Sequence, residues 1–366
     1  MTLATHNRIE AEPAPSIASV LIVDDSIVAR AAFGRIIDAT ARFVVAGAVG
    51  TVAAALDFLD RHRVEIVLLD LELPGTDGLT GLPDLIAAGQ GAKVFVVSAA
   101  AGEGAVATLQ ALALGAADTL VKPGLGAGGR RFSDVLIERL ERLVDANPDP
   151  LPAAPPRAEH AHPPLPPFDI VAIGASTGGI HALSALLRAL PATFDVPILV
   201  TQHLPASFMP YFAAQLALLA GRPCDVAENH MRVRPGRIVI APGHAHMRLA
   251  KMDDGASIRL TSEASASGCL PSVDPMFASL AEVYGKRGLG VVLSGMGRDG
   301  AIGARALTAA GASVVVQDRR TSVVWGMPGA VANSGGATAV LPPDAIGRLI
   351  ALQRSAPGAA TLGVAR

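Results

Sequence analysis

Cysteine is almost missing from this chain, with only Cys224 and Cys269 in 366 residues. That excludes a disulfide framework and fits a reducing compartment, and neither cysteine stands in a paired spacing that would hold zinc. An excess of either charge is also missing. Thirty Lys plus Arg stand against thirty-two Asp plus Glu, a formal net charge of −2, so there is no broad footprint for nucleic acid or anionic membrane, and the expected partners are proteins or small molecules. Nowhere do about eighteen apolar residues run uninterrupted, and the first nineteen lack the apolar stretch of a signal peptide. A cytoplasmic protein, not inserted in a membrane, is expected. No repeat of solenoid period is present.

What is present is an alternation. The length suggests about two domains. Val-, Ile- and Leu-rich runs recur at 20–25 (VLIVDD), 42–47 (RFVVAG), 65–70 (EIVLLD), 93–98 (KVFVVS) and 119–123 (TLVKP), separated by stretches with helical spacing. Apolar runs of this kind suit strands buried on both faces, the pattern of a parallel sheet wrapped by helices. The stretch 133–145 carries Val135, Leu136, Leu140 and Leu143 at helical intervals, a closing helix. Proline then dominates 147–167 (NPDPLPAAPPRAEHAHPPLPP), which predicts a stiff, extended linker. The alternation resumes at 169–176, 196–203, 237–243, 289–297 and 312–318, a second α/β sheet. Closer strand-like pieces joined by Gly, Pro and Asp-Gly turns between 221 and 262 predict an antiparallel extension on it.

In a parallel sheet, strand ends meet at one edge, where open α/β folds place their sites. Asp24 and Asp25 follow one predicted strand and Asp70 another, so three carboxylates converge, and their repulsion calls for a cation such as Mg²⁺. Ser98 and Lys122 end the next two strands and add a hydroxyl and a cation, groups that fit a phosphoryl oxygen. Taken singly, each acid is equally a helix cap and Lys122 a surface lysine.

These segments, DD (24–25), LLDLELPGTDG (68–78), VVSA (96–99) and VKP (121–123), resemble a response-regulator receiver domain over residues 20–145. The resemblance implies a flavodoxin-like fold with a five-stranded parallel sheet and Asp70 as the phosphorylated aspartate. It further implies Mg²⁺ on Asp24, Asp25, Asp70 and the Glu72 carbonyl, with Ser98 and Lys122 on the phosphoryl group. Receivers usually carry an aromatic residue three positions before this lysine; here it is Thr119.

The second candidate site is Ser176 in Gly174-Ala-Ser-Thr-Gly178-Gly179, between the strand DIVAI and a helix-like stretch. Gly-x-Ser-x-Gly at a strand-to-helix turn holds a serine oxygen exposed, with amide donors near a developing oxyanion. Similar turns cradle phosphates, so a nucleotide-binding reading stays open. A serine nucleophile needs a base. Of nine histidines, His203 is best placed, ending the strand VPILVTQ at the same predicted edge. His6, His160 and His162 fall in the tail or linker, and His62 ends a helix. His181 is expected to face away, and His230, His244 and His246 to lie on the surface or rim. Asp299, after GVVLSGMG, is the carboxylate that would orient the imidazole, or else a helix cap for the stretch after it. The order Ser, His, Asp differs from that of α/β-hydrolases.

IGASTGG (173–179), TQHLP (201–205), IAPGHAHM (240–247), LPSVDPMF (270–277), VVLSGMGRDGA (291–301) and VVQDRRTSVVWGMPGAV (315–331) resemble the catalytic domain of the chemotaxis response regulator protein-glutamate methylesterases. Leu204, Pro275 and Met276 depart from the commoner residues at their positions. The resemblance implies Ser176 as nucleophile, His203 as base, Asp299 as orienting acid, and Thr177 and Met296 lining the oxyanion region. It implies a phosphorylation-regulated hydrolase that demethylates glutamate γ-methyl esters on chemoreceptors and deamidates receptor glutamines. A chemotaxis histidine kinase would be the phosphodonor; Mg²⁺ would serve phosphorylation, with no cofactor for ester hydrolysis and no nucleic-acid partner. The expected layout is a disordered tail (1–18), receiver (19–146), proline-rich linker (147–167), a doubly wound, mostly parallel α/β methylesterase domain with an antiparallel extension (168–355) and a C-terminal tail (356–366). A non-catalytic receiver-linked module binding a nucleotide or protein at the glycine-rich turn is the alternative. A transcriptional regulator is disfavoured by the absence of basic clustering and of any helix-turn-helix pattern.

Overall fold

The computed structural model describes residues 17–98, 103–122, 132–145 and 165–352. Most of both expected tails and of the proline-rich linker, with His6, His160 and His162, lie outside the described residues, as do Ala99 and Pro123 of two motifs.

The first unit is a five-stranded parallel sheet of β1 (Ala18–Val23), β2 (Phe43–Val49), β3 (Ile66–Asp70), β4 (Lys93–Ser98) and β5 (Asp118–Val121), in the order β2-β1-β3-β4-β5. It is wrapped by α1 (Ile27–Asp38), α2 (Val52–Arg61), α3 (Gly78–Gly89), α4 (Glu103–Leu114) and α5 (Phe132–Asp145). Central β3 is buried at every residue, which is why its sequence carries no polar alternation. Register then places the acids. Val23 pairs with Leu69, so Asp24 stands level with Asp70; Asp70 pairs with Val97, and Ser98 with Val121, so Ser98 and Lys122 follow at the same edge. The capping alternative for the acids does not hold. Ser26 caps α1 with its hydroxyl and Asp77 caps α3.

The second unit holds β6 (Ile170–Ala175), α6 (Gly179–Arg188), β7 (Ile198–Gln202), α7 (Met209–Ala220), β8 (Cys224–Val226), β9 (Ile238–Ile240), β10 (His246–Met252) and β11 (Gly255–Thr261). It continues through α8 (Val273–Tyr284), β12 (Gly288–Val292), α9 (Ala301–Ala309), β13 (Ser313–Gln317), α10 (Met327–Asn333), β14 (Ala339–Leu341) and α11 (Pro343–Leu352). Seven strands form a parallel sheet in the order β14-β13-β12-β6-β7-β9-β8. The antiparallel pair expected in 221–262 is β10 and β11, which form their own two-stranded sheet rather than lengthening the main one. The edge position goes to β8, which follows α7 and pairs parallel with β9.

The two units share one continuous apolar cluster. Leu109, Leu112 and Ala116 of the first unit pack in it with Ile180, Leu183 and Leu187 of the second. Hydrogen bonds cross the same boundary between described residues: the Gly178 amide donates to the Ala117 carbonyl (3.1 Å), Gln215 Nε2 to the Leu109 carbonyl (3.3 Å), and His181 Nδ1 pairs with the Ala113 carbonyl (3.0 Å). His181 does face away from Ser176, toward the first unit. Among the described residues no helix is long and apolar enough to cross a membrane.

Candidate active site

In the first unit, Lys122 Nζ lies 2.7 Å from Asp70 Oδ2 and 3.2 Å from Asp24 Oδ2. Asp24 and Asp70 are buried and Asp25 is exposed, and one oxygen of each lies within 4.8 Å of the others. Burial pushes the Asp70 carboxyl up while the Lys122 hydrogen bond pulls it down; burial likewise works against the Lys122 charge, but Asp70 and Asp24 outweigh it and raise its pKa. One ammonium among three acids leaves a surplus of negative oxygen donors with an open side at Asp25, a set that fits Mg²⁺ with water completing its shell. Glu72 is exposed, and its amide reaches Asp70 Oδ1 at 3.4 Å. Ser98 is buried, and its hydroxyl pairs with Thr108 Oγ1 of α4 at 2.6 Å; Thr108 in turn donates to the Gly104 carbonyl. Thr119 is held through its backbone: its carbonyl accepts from Arg139 and its amide donates to Asp118 Oδ1.

In the second unit, Ala175 pairs with Gln202, so Ser176 and His203 leave adjacent parallel strands at one level. Val292 pairs with Gly174 on the other side, and the loop after β12 carries Met296 and Asp299 to the same edge. This is the crevice expected where neighbouring strands of an open sheet send their connections apart. Gly178, at φ 73°, closes the turn; a Cβ there would stand 2.5 Å from Val323 and 2.8 Å from Ser294 Oγ, so any larger residue would displace the loop that carries Ser176. Gln202 Nε2 fixes the Ser176 carbonyl at 2.9 Å.

Ser176, Thr177, His203 and Met296 line one cavity of about 320 Å³. His203 Nε2 lies 2.8 Å from Asp299 Oδ2, which leaves Nδ1 as the nitrogen able to take a proton. The Ser176 hydroxyl and the imidazole share the cavity without a direct hydrogen bond in this state. Asp299 is almost fully buried. Burial works against its charge, but hydrogen bonds from His203, the Ser272 hydroxyl (2.6 Å) and the Val273 amide (2.7 Å) outweigh it and hold its pKa down at about 2.

Ser272, Val273 and Asp274 open α8, so Asp299 receives the exposed amides of a helix N-terminus, where negative charge is favoured. It is therefore not the cap of the helix that follows it. Gly300, at φ 88°, precedes α9 without a side-chain cap, and Asp274 reaches across to the Gly303 amide at 2.7 Å. The two helices exchange carboxylates. His246, expected on the surface, is only 2% exposed: its Nδ1 accepts from the Ser272 amide (2.9 Å) and its Nε2 pairs with the Glu263 carbonyl (2.7 Å), which locks the segment that holds Asp299. His230 and His244 are exposed. Ser272, Asp274 and His246 stood in quoted motifs, LPSVDPMF and IAPGHAHM, but no local pattern assigned them a task. Thr108 stood in none.

The first unit supplies part of the cavity wall through Leu112, Asp118, Arg139, Arg142 and Leu143. A phosphoacceptor-type α/β unit that closes the serine-bearing crevice of a second α/β unit defines the class: a hydrolase controlled by a receiver domain. The family model for the response regulator receiver domain matches residues 20–126, and that for the CheB methylesterase matches 171–350. A protein-glutamate methylesterase/protein-glutamine glutaminase of Caulobacter vibrioides is 42% identical over 340 residues, 91% of this chain and 97% of that one. Another, from Paramagnetospirillum magneticum, is 38% identical over 359 residues, 90% and 94% of the two chains. The crystal structure of the Thermotoga maritima CheB methylesterase catalytic domain is 35% identical, covers 50% of this chain and 98% of that chain, and has a TM-score of 0.49. The chain belongs to the CheB family of receiver-controlled protein-glutamate methylesterases.

Proposed function

We propose that Ser176 attacks the carbonyl carbon of a glutamyl γ-methyl ester on a chemoreceptor. The hydroxyl proton passes to His203 Nδ1, Asp299 stabilises the imidazolium, and the tetrahedral oxyanion forms beside Thr177 and Met296. Collapse expels methanol with the proton from His203. Water, deprotonated by the same imidazole, then attacks the acyl-enzyme, returning Ser176 and leaving glutamate. A glutamine side chain entering the same path gives ammonia and glutamate. The observation that carries this reading is the hydrogen-bonded His203–Asp299 pair level with Ser176 on one cavity; a serine–imidazole bond that tightens only with substrate is common in such sites. A fluorophosphonate probe tests it against the binding-module alternative: labelling at Ser176 that vanishes in His203→Ala supports the hydrolase, and tight nucleotide binding without labelling supports the module.

Phosphorylation enters at Asp70, with a chemotaxis histidine kinase as phosphodonor and the enzyme working in the cytoplasm. Mg²⁺ on Asp24, Asp25, Asp70 and the Glu72 carbonyl would neutralise the incoming phosphoryl group, while Ser98 and Lys122 take its oxygens. Before that, the docked receiver, residues 19–146, holds the second site shut. In support, the Ala117 carbonyl occupies the Gly178 amide two residues after the nucleophile, and five receiver side chains line the cavity. Deleting residues 1–150 should raise basal methanol release. In the full chain, His181→Ala removes one docking hydrogen bond of about 1 kcal/mol and should raise it roughly fivefold; unchanged release in both variants would contradict inhibition.

The Ser98–Thr108 bond supports a route for the signal. When the Ser98 hydroxyl turns to the phosphoryl oxygens it releases Thr108, and with it α4, whose far end carries the Leu109, Leu112 and Ala113 contacts to the second unit. Thr108→Val should therefore lower the activation ratio by roughly fivefold, mainly by raising basal activity, for loss of a bond of about 1 kcal/mol. The check is methanol release with and without acetyl phosphate.

A further inference from the structure

We infer that His203, Cys269 and Asp299 form a zinc-binding site whose occupation shuts the enzyme off. The inference deepens the hydrolase reading, since two of the three donors are the residues assigned there to moving a proton. A ring nitrogen of His203, the Cys269 sulfur and a carboxylate oxygen of Asp299 all lie within 4.8 Å of one another. Tetrahedral Zn²⁺, with bonds of about 2.0–2.3 Å, needs donors about 3.3–3.8 Å apart, so closure takes side-chain movements of roughly 1 Å. Nitrogen, sulfur and oxygen donors in this mixture suit zinc, whereas Mg²⁺ and Ca²⁺ want oxygen alone.

The surroundings are those of a held site. Asp299 is fixed by Ser272 and the Val273 amide, partners that would orient it toward a metal as they now orient it toward His203. Cys269 is tethered through its amide to Ser267 Oγ at 3.3 Å. His203 and Cys269 both open on the cavity, which leaves a fourth position for water. Three protein ligands from distant points of the sequence meet here, which explains why the spacing of the cysteines gave no hint of it.

The free thiol has no evident task in ester hydrolysis. Burial raises its pKa, and the Asp299 and Asp274 carboxylates add to this, so it is a poor nucleophile and a poor target for oxidants. A divalent cation inverts that logic: the same carboxylates then favour it, and the thiol gives up its proton to solvent on binding. The imidazole lone pair goes to the metal and is lost to Ser176, and Asp299 turns from orienting the base to holding the ion. Hydrolysis stops without any change in the receiver.

The test uses the full chain with Mg²⁺ in excess, so that the receiver carboxylates are already engaged. Zn²⁺ alone is titrated against a chromogenic chelator, and Co²⁺ alone serves as the spectroscopic probe. The expected result is a thiolate-to-cobalt charge-transfer band that Cys269→Ser abolishes and Cys224→Ser retains. Zn²⁺ affinity should fall roughly 10- to 100-fold in Cys269→Ser and in His203→Gln, the size of loss seen when even a supporting residue of a zinc site is removed. Zn²⁺ should stop methanol release and a chelator restore it, and half-inhibition of Cys269→Ser, measured against that variant's own metal-free rate, should need correspondingly more metal. Absence of the band in the unaltered protein, or a Zn²⁺ affinity in Cys269→Ser equal to that of the unaltered protein, would overturn the site; binding without loss of methanol release would overturn the inhibition. The binding readouts need no substrate, so failure of the metal site and failure of the hydrolase reading give different results.

Discussion

Ser176→Ala is expected to lower methanol release from methylated receptor roughly ten-thousandfold or more, to a residue of activity supplied by binding and the oxyanion region alone. The loss should fall on kcat rather than KM, because the hydroxyl contributes little to holding an ester that the cavity wall already positions. Folding should be spared. Ser176 is half-buried at the mouth of a turn whose shape is set by its backbone: its amide donates to the Ser294 carbonyl at 3.0 Å and its carbonyl accepts from Gln202, and alanine keeps both. Stopped-flow or gas-chromatographic measurement of methanol decides it, and turnover near that of the unaltered enzyme would remove serine from the mechanism.

Asp299→Asn should cost nearly as much, about ten-thousandfold, although it touches neither substrate nor nucleophile. All four partners of this carboxylate are donors: His203 Nε2 and the Val273 amide on Oδ2, the Ser272 hydroxyl and the Asp274 amide on Oδ1. An asparagine must turn its NH₂ toward one of these pairs. Turned toward Oδ2's place it opposes the imidazole and favours the wrong tautomer; turned the other way it opposes Ser272 and the start of α8. Unlike Ser176→Ala, the change should therefore lower the thermal midpoint as well as kcat. The pH dependence has a definite sign. A carboxyl held at about 2, below its ordinary 3.8, contributes stability that is complete above the ordinary value and is lost as the pH falls through 2. Asp299 thus stays ionised through the working range.

The sheet edges were legible because parallel strands turn sequence order into spatial order. Asp24, Asp70, Ser98 and Lys122 end neighbouring strands, as do Ser176 and His203, so each set could be gathered from apolar runs alone. What supports Asp299 was not legible. Its partners lie 25 to 96 residues away, and a carboxylate that caps a helix elsewhere in the chain looks, in sequence, like a cap for the helix beside it. His246 was misplaced for a related reason: a histidine opening a short strand reads as rim until the Ser272 amide and Glu263 carbonyl that satisfy both ring nitrogens are brought to it. The edge strands β8 and β14, three residues each, are too short to leave a pattern. Thr108 sits on a helix whose apolar spacing hides a buried hydroxyl, and only contact with Ser98 gives it a part.

The most direct measurement is rapid quench of the phosphorylated enzyme with a methylated receptor peptide, followed by digestion and mass spectrometry of the enzyme. A glutamyl adduct on Ser176, with one methanol released for each adduct formed, is the predicted result. Methanol released with no adduct, or an adduct on Cys269 in place of Ser176, would contradict it.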